Sequence, residues 1–279
     1  MHVSTELPRG PVSPIANARM YSVTPLVKAA WKEVLGWALR RARLDWAVLD
    51  YDPPAPLDAL WARDDLGCAM MCGLPFSQRQ PRPTLVAAPV PSPARYQGRP
   101  IYFTDIVVRA DSAYRTLEDT FGGVVGYTLE NSMSGCVALR KHLLAYRTPG
   151  RPRLYREAVG GLLNARRVIE ALDEGRIDVG PLDNYAHDLL RRNDPAFAGK
   201  ISVIASTDAA PIPPLVATAP LAEGDLERLR EALAAAGNAA ELAANREVLL
   251  LEGFAMPRAT DYQIFDDVLS AAQQSPGVW

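Results

Sequence analysis

The sequence predicts an α/β protein of two lobes, each a mainly parallel sheet flanked by helices. Three observations lead there. Short apolar, β-branched runs at 66–71, 102–109 and 201–206 alternate with segments of helical spacing, which is the pattern of βαβ units. At 279 residues and 48% hydrophobic, the chain suits one large domain or two lobes of ordinary size. Two extended stretches, about 103–108 and about 205–212, divide it. If the chain crosses outward at the first and back at the second, residues 14–103 with 210–279 form one discontinuous lobe and 107–207 an inserted second lobe, a division to which the resemblance given below adds most of the weight.

The elements follow in order. Residues 1–13 are rich in Pro and Gly and read as a loose lead-in. Residues 15–21 give a first short strand and its exit loop. Residues 24–43 form a helix. Thr24 can cap it, Pro25 takes the first helical position, and Leu26, Ala30, Val34, Trp37 and Arg41 give the spacing. A second strand at 46–49 leads through the turn-rich 52–56 to a short helix at 56–63, with Leu57, Leu60 and Trp61 facing in. The third strand, 66–71, ends at Cys72-Gly73-Leu74-Pro75. The fourth, 85–90, has prolines on both sides, which predicts a short or edge strand. Residues 102–109, YFTDIVVR, make a strong strand. Leu117 and Phe121 belong to a turn before Gly122-Gly123, and 124–127 is the next strand.

Residues 126–144, GYTLENSMSGCVALRKHLL, read as a strand end, a small polar loop and the start of an amphipathic helix. Asn131, Ser132, Ser134 and Gly135 crowd the turn. Val137, Leu139, Leu143 and Leu144 then follow at helical spacing. A helix N-terminus presents unpaired N–H groups and partial positive charge, so with two hydroxyls and a glycine this is a seat for a small anion. An ordinary N-cap at Ser132 or Ser134 is the alternative.

Beyond it lie a strand end and glycine turn at 158–161, a helix at 165–172 closed by Gly175 as a C′ residue, and a strand at 177–180. Residues 181–185 open a helix to about 192. Strands at 201–206 and 215–218 flank the proline-rich 210–214. Helices at 223–236, 239–251 and 261–272 complete the chain.

Composition excludes several classes. Net charge is −2 and the densest basic cluster, Arg40, Arg41 and Arg43, sits at a helix end, where cations suit the dipole. Nucleic-acid binding has no support. Cys68, Cys72 and Cys136 show no disulfide or zinc spacing and read as small buried residues. No run is long enough for a membrane helix, so no direct membrane insertion is expected, and the first residues carry no basic-then-apolar export signal. His2, His142 and His187 make no metal pair, and the last two read as solvated helix positions. No nucleophile elbow, phosphate loop or dinucleotide fingerprint occurs. No cofactor is expected.

Several segments together resemble one family. Ala18-Arg19-Met20-Tyr21 before a helix, Cys72-Gly73-Leu74-Pro75, Asn131-Ser132-Met133-Ser134-Gly135, Gly175 through Asp183, and Thr207 through Pro214 match, in order, motifs of the phosphonate-type solute-binding proteins of ABC transporters. The resemblance spans about 15–218. It implies a type II periplasmic-binding-protein fold closing by hinge motion on a small anion, partnership with transporter membrane subunits, and a periplasmic location. The missing export signal leaves a cytoplasmic location open. Many relatives carry a Gly-Ser-His turn where this chain has Gly160-Gly161-Leu162-Leu163-Asn164. A histidine contact to the anion is thereby gone. Leu162 and Leu163 either make that wall apolar, favouring an aromatic or aliphatic ligand body, or pack within the lobe.

Carried over by position, the ligand residues are Met20, Tyr21, Cys72, Gly73, Asn131, Ser132, Ser134, Gly135, Leu162, Asp183 and Tyr185. Tyr102 either lines the crossover or packs there. Ser132 and Ser134 would donate hydroxyls, Tyr21 would supply a ring and a hydroxyl, and Asp183 would accept from a ligand donor or cap the helix after it. Two functions fit: a non-catalytic binder of a phosphonate- or carboxylate-like solute for ABC-type transport, or a cytosolic enzyme on the same fold, decarboxylase-like or of precursor biosynthesis, acting on a small aromatic or heterocyclic acid. No convincing acid–base pair appears, which favours the binder.

Overall fold

The computed structural model describes residues 13–273 and 279, so most of the loose 1–13 lead-in lies outside the described residues. In chain order the elements are β1 (Ile15–Asn17), α1 (Pro25–Arg41), β2 (Ala47–Val48), α2 (Leu57–Trp61), β3 (Leu66–Met70), α3 (Gly73–Gln78), β4 (Thr84–Pro91), β5 (Ile101–Tyr102) and β6 (Thr104–Arg109). Next come β7 (Val124–Gly126), α4 (Ala138–Leu143), β8 (Glu157–Val159), α5 (Ala165–Asp173), β9 (Gly180–Asp183), α6 (Asn184–Asn193), α7 (Pro195–Ala198) and β10 (Ile201–Ser206). The chain closes with β11 (Ala210–Pro211), β12 (Leu215–Ala217), α8 (Glu223–Ala236), α9 (Ala243–Leu249), β13 (Leu251–Ala255) and α10 (Ile264–Gln273).

The larger sheet has six strands in the order β13-β4-β12-β3-β1-β2. β1 pairs parallel with β2 and β3, whereas β12 runs antiparallel to β3 and β4, and β13 antiparallel to β4. The pairing is mixed rather than mainly parallel. Strand–helix alternation predicts parallel neighbours only where a helix carries the chain back. β12 arrives from the proline-rich return crossover with no helix before it, and so enters the sheet reversed. The smaller lobe holds the antiparallel order β10-β6-β9 and the parallel pair β7-β8. The chain passes from the larger sheet into β6 and returns from β10, and the short β5-β11 ladder lies at this crossing.

Side chains along β6 alternate as a strand's period of two demands. Val107 packs with Val168, Ile169 and Leu172 of α5, while Ile106 and Val108 pack with Leu139 and Leu143 of α4. Thr24 caps α1 by accepting the Val27 N–H. The buried stripe is Val27, Ala30, Trp31, Val34, Leu35 and Ala38, not the one through Leu26, Trp37 and Arg41. Leu26 is 57% exposed. Both stripes fit helical spacing, and the buried one carries more bulk, worth roughly 1.5–3 kcal/mol for each large side chain.

Four other readings change. β4 is interior, between β13 and β12; Pro91 falls opposite Leu251, where the register of β13 shifts before Gly253, a place that tolerates a missing N–H, and Pro89 pairs with Phe254. The helix expected to reach residue 251 ends at Leu249, since Leu250 turns left-handed at φ +46° and β13 follows. The strand expected at 177–180 is β9, three residues later, and it carries Pro181. His187, expected in solvent, is buried and pairs through Nδ1 with Asp105 at 2.9 Å. The cysteines are free and buried. Among the described residues no helix is long and apolar enough to cross a membrane.

Candidate functional site

A cleft of about 420 Å³ lies between loops of the larger sheet and loops of the smaller lobe. Helix starts converge on it. Pro56, Cys72, Asn164 and Asp183, the caps of α2, α3, α5 and α6, all line the cleft, as does Ser132, the cap of the turn that opens into α4. Each brings the positive end of a peptide dipole to the same space. Residues Met133–Val137 form a widened turn rather than a regular α-helical one, with Val137 N–H donating to Ser132 O at 3.0 Å. Such turns recur at functional sites.

The turn is built around Gly135. Its N–H donates to Ser132 Oγ at 3.1 Å and its carbonyl accepts the Thr128 N–H at 3.0 Å. A Cβ here would overlap Thr128 Oγ1 and come within 2.9 Å of Ser132 Oγ. Gly135→Ala is therefore expected to destabilise the protein by about 1–3 kcal/mol, as overpacking does. A urea denaturation midpoint checks it; an unchanged midpoint would mean the loop opens freely.

At the cleft floor, Asp183 gathers four donors. Oδ1 accepts the Tyr185 and Ala186 N–H groups at 3.0 Å each, and Oδ2 accepts the Tyr21 hydroxyl at 3.2 Å and the Ser134 hydroxyl at 3.4 Å. Burial nonetheless pushes the Asp183 carboxyl up to about 6, against the pull of those donors. Burial, with Asp183 beside it, raises the Tyr21 phenol in turn. Asp183 is thus both the N-cap of α6 and a cleft residue.

Of the residues expected from sequence, Met20, Tyr21, Cys72, Asn131, Ser132, Ser134, Gly135 and Asp183 line the cleft. Gly73, Tyr102, Leu162 and Tyr185 stand behind its wall. Gly73 lies against the Phe265 ring, which a Cβ would overlap. Tyr185 is fully buried, edge-on to Tyr21 with centroids 4.8 Å apart, and its hydroxyl donates to Leu249 O at 2.6 Å. Tyr102 is buried with an unpartnered hydroxyl. Leu162 packs in the smaller lobe's core, and its neighbour Leu163 takes the cleft position.

The structure also adds residues to the cleft. Thr128, Asn164 and Arg166 line it from the smaller lobe, beside Leu163, which the sequence already offered with Leu162 as an apolar wall, and Arg19 and the segment from Asp52 to Asp58 line it from the other side. Asn164 had a sequence signal, an Asn directly before a helical run; it accepts the Arg167 N–H at 3.1 Å. Arg166 had none, and Arg19 stood inside the matched Ala18–Tyr21 segment without being taken as a ligand residue. Arg19 donates to Ala55 O and lies over the Tyr51 ring at 5.3 Å, and burial lowers its pKa. Arg166 pairs with Asp194 at 2.9 Å. No group of three or more His, Cys, Asp or Glu that could hold a metal ion occurs among the described residues.

Two α/β lobes with a cleft ringed by helix N-termini make up the type II periplasmic-binding-protein fold. The chain belongs to the family described as ABC transporter, phosphonate, periplasmic substrate-binding protein, whose model matches residues 59–262. Among solved structures it is similar to a binding protein component of an ABC phosphonate transporter from Pseudomonas aeruginosa, at 18% identity and TM-score 0.76, covering 95% of this chain and 88% of that one. A Prochlorococcus marinus protein in complex with methylphosphonate matches at 13% identity and TM-score 0.73, over 94% and 99% of the two chains. An arginine-, lysine-, histidine-binding protein from Geobacillus stearothermophilus matches at 13% identity and TM-score 0.50, over 84% and 94%. No curated protein matches.

Proposed function

We propose that the protein is a non-catalytic solute-binding protein that holds a small organic anion, phosphonate- or carboxylate-like, in this cleft and delivers it to ABC-transporter membrane subunits. The observation that carries this reading is the convergence of helix starts on one cleft, with Ser132, Ser134 and Gly135 at its head. N–H groups and dipoles aimed into a concave site favour negative charge without a lysine or arginine ligand. Family membership supports the solute-binding role, and a methylphosphonate complex among the structural neighbours is consistent with the ligand chemistry. Lobe boundaries at 14–103 with 210–279, and 107–207, go with this reading. The crossing strands then act as the hinge on which the lobes close.

A thermal-shift series with phosphonates and carboxylates is expected to raise Tm with ligand concentration. The double variant Ser132→Ala, Ser134→Ala is expected to weaken binding at least tenfold, about 1.4 kcal/mol. Binding unchanged in the double variant sinks the site. Mass spectrometry of the best ligand after incubation tests the rest, since conversion by substoichiometric protein would make the protein an enzyme.

A further inference from the structure

Two leucines of the smaller lobe sit where large apolar side chains rarely do. Leu163 is 48% exposed and Leu129 37% exposed, and both line the cleft. Leu163 also holds a left-handed backbone at φ +64°, a conformation that suits glycine or asparagine and strains leucine. No core packing offsets that strain, because Leu162 fills the core position beside it. Across the cleft, Pro54, Leu57 and Trp61 line the facing wall. Of the cations near this end, Arg166 is paired with Asp194, and Arg19 donates to the Ala55 carbonyl and lies over the Tyr51 ring. A strained, exposed leucine facing an apolar wall across open space is accounted for by an occupant that covers both.

We infer that the cleft selects acids with a bulky apolar body, arylalkyl or branched alkyl, gripped between Leu129 and Leu163 on one side and Pro54, Leu57 and Trp61 on the other. The acid group sits at Ser132 to Gly135, so the inference rests on the anion-binding reading above and adds the class of the body. Size agrees. A space of about 420 Å³ is in the range of pockets that enclose whole organic ligands, and a one-carbon phosphonate would leave most of it to water.

Titration calorimetry with methylphosphonate, benzylphosphonate, acetate and phenylacetate tests this. Each aryl acid is expected to bind at least tenfold tighter than its one-carbon counterpart. Leu163→Asn suits the left-handed backbone, so its Tm is expected to hold or rise, while the preference for each aryl acid over its one-carbon counterpart falls at least fivefold. A variant that folds better and selects worse separates ligand contact from structural support. If methylphosphonate binds as tightly as benzylphosphonate, or if Leu163→Asn keeps the full aryl preference, the apolar grip is wrong and the anion site stands. If none of the four acids binds, the anion reading falls and takes this inference with it.

Discussion

Arg95→Ala is expected to lower folding stability by about 3–5 kcal/mol, the loss that follows when a buried ion pair is broken by removing one partner. Arg95 stands in the turn after β4, and its guanidinium reaches across to β6 and α6. It donates to Asp105 Oδ2 at 3.1 Å, to Asp188 Oδ2 at 2.8 Å and to Asn184 O at 2.8 Å. The Asp105 side chain is fully buried and also accepts from His187 Nδ1 at 2.9 Å and Ser206 Oγ at 3.0 Å. The Tyr96 hydroxyl donates to Asp188 at 2.6 Å. Burial alone would raise the Asp105 pKa, but the hydrogen bond with His187 and the charge of Arg95 outweigh it and hold the carboxyl below its usual range. A carboxyl so depressed contributes stability above its unfolded pKa and loses it as pH falls through the folded value. Without Arg95 two buried carboxylates lose their shared cation. The variant should therefore also begin to unfold at a higher pH on acid titration. Arg95→Lys keeps one charge but not the fork, and should fall between the two. A loss below 1 kcal/mol in urea denaturation would mean that His187 and Ser206 suffice.

This network also shows what the sequence could not reveal. Asp105 sits in the run YFTDIVVR, and nothing local says that its partners lie about ten and eighty residues away. His187 lies beside Asp188 on a helix, a pattern that reads as solvent-facing until α6 is packed against β6. Elements with local signals are legible: α8 runs Glu223–Ala236 and β10 runs Ile201–Ser206 where their periodicities place them. β13 is hidden because its first residue continues a Leu-rich helix and the break falls on a left-handed leucine, Leu250, which carries no Gly or Asn signal. The cleft divides in the same way. Ser132, Gly135 and Asp183 stand at helix starts, where residue type and position agree. The apolar wall around Leu57 and Trp61 comes from a segment that reads as turn and short helix, and only the fold sets it against Leu163. The choice of Leu163 over Leu162 depends on one backbone angle.

Asp183→Asn is expected to stabilise the protein by about 2–3 kcal/mol at pH 8 and to make anion binding at least tenfold tighter there. The carboxyl titrates at about 6 in the fold against an ordinary value of 3.8. Between these values the native state holds a proton that the unfolded chain has released, so stability falls as pH rises from about 4 to 6 and is flat above. At about 1.36 kcal/mol for each pKa unit, the charged form is disfavoured in the fold by about 3 kcal/mol. Asparagine removes that cost and caps α6 as well as aspartate does, losing only a few tenths of a kcal/mol of dipole interaction. The stability difference between variant and parent should therefore be large at pH 8 and vanish near pH 4. Binding follows the same electrostatics. An anion at the Ser134 end meets the charge that Ser134 and Tyr21 hold through their hydroxyls, and two like charges about 4 Å apart repel by about 4 kcal/mol at an effective dielectric of 20. A simple phosphonate then binds the parent more tightly at pH 5, where Asp183 takes up a proton, than at pH 8. The variant should lose this pH dependence. A ligand that also carries an amine should respond in the opposite sense, because its donor needs the carboxylate. Equal stability of variant and parent at pH 8, with the same slope between pH 4 and 7, would mean that Asp183 is ionised without cost and that the anion approaches the cleft by another wall.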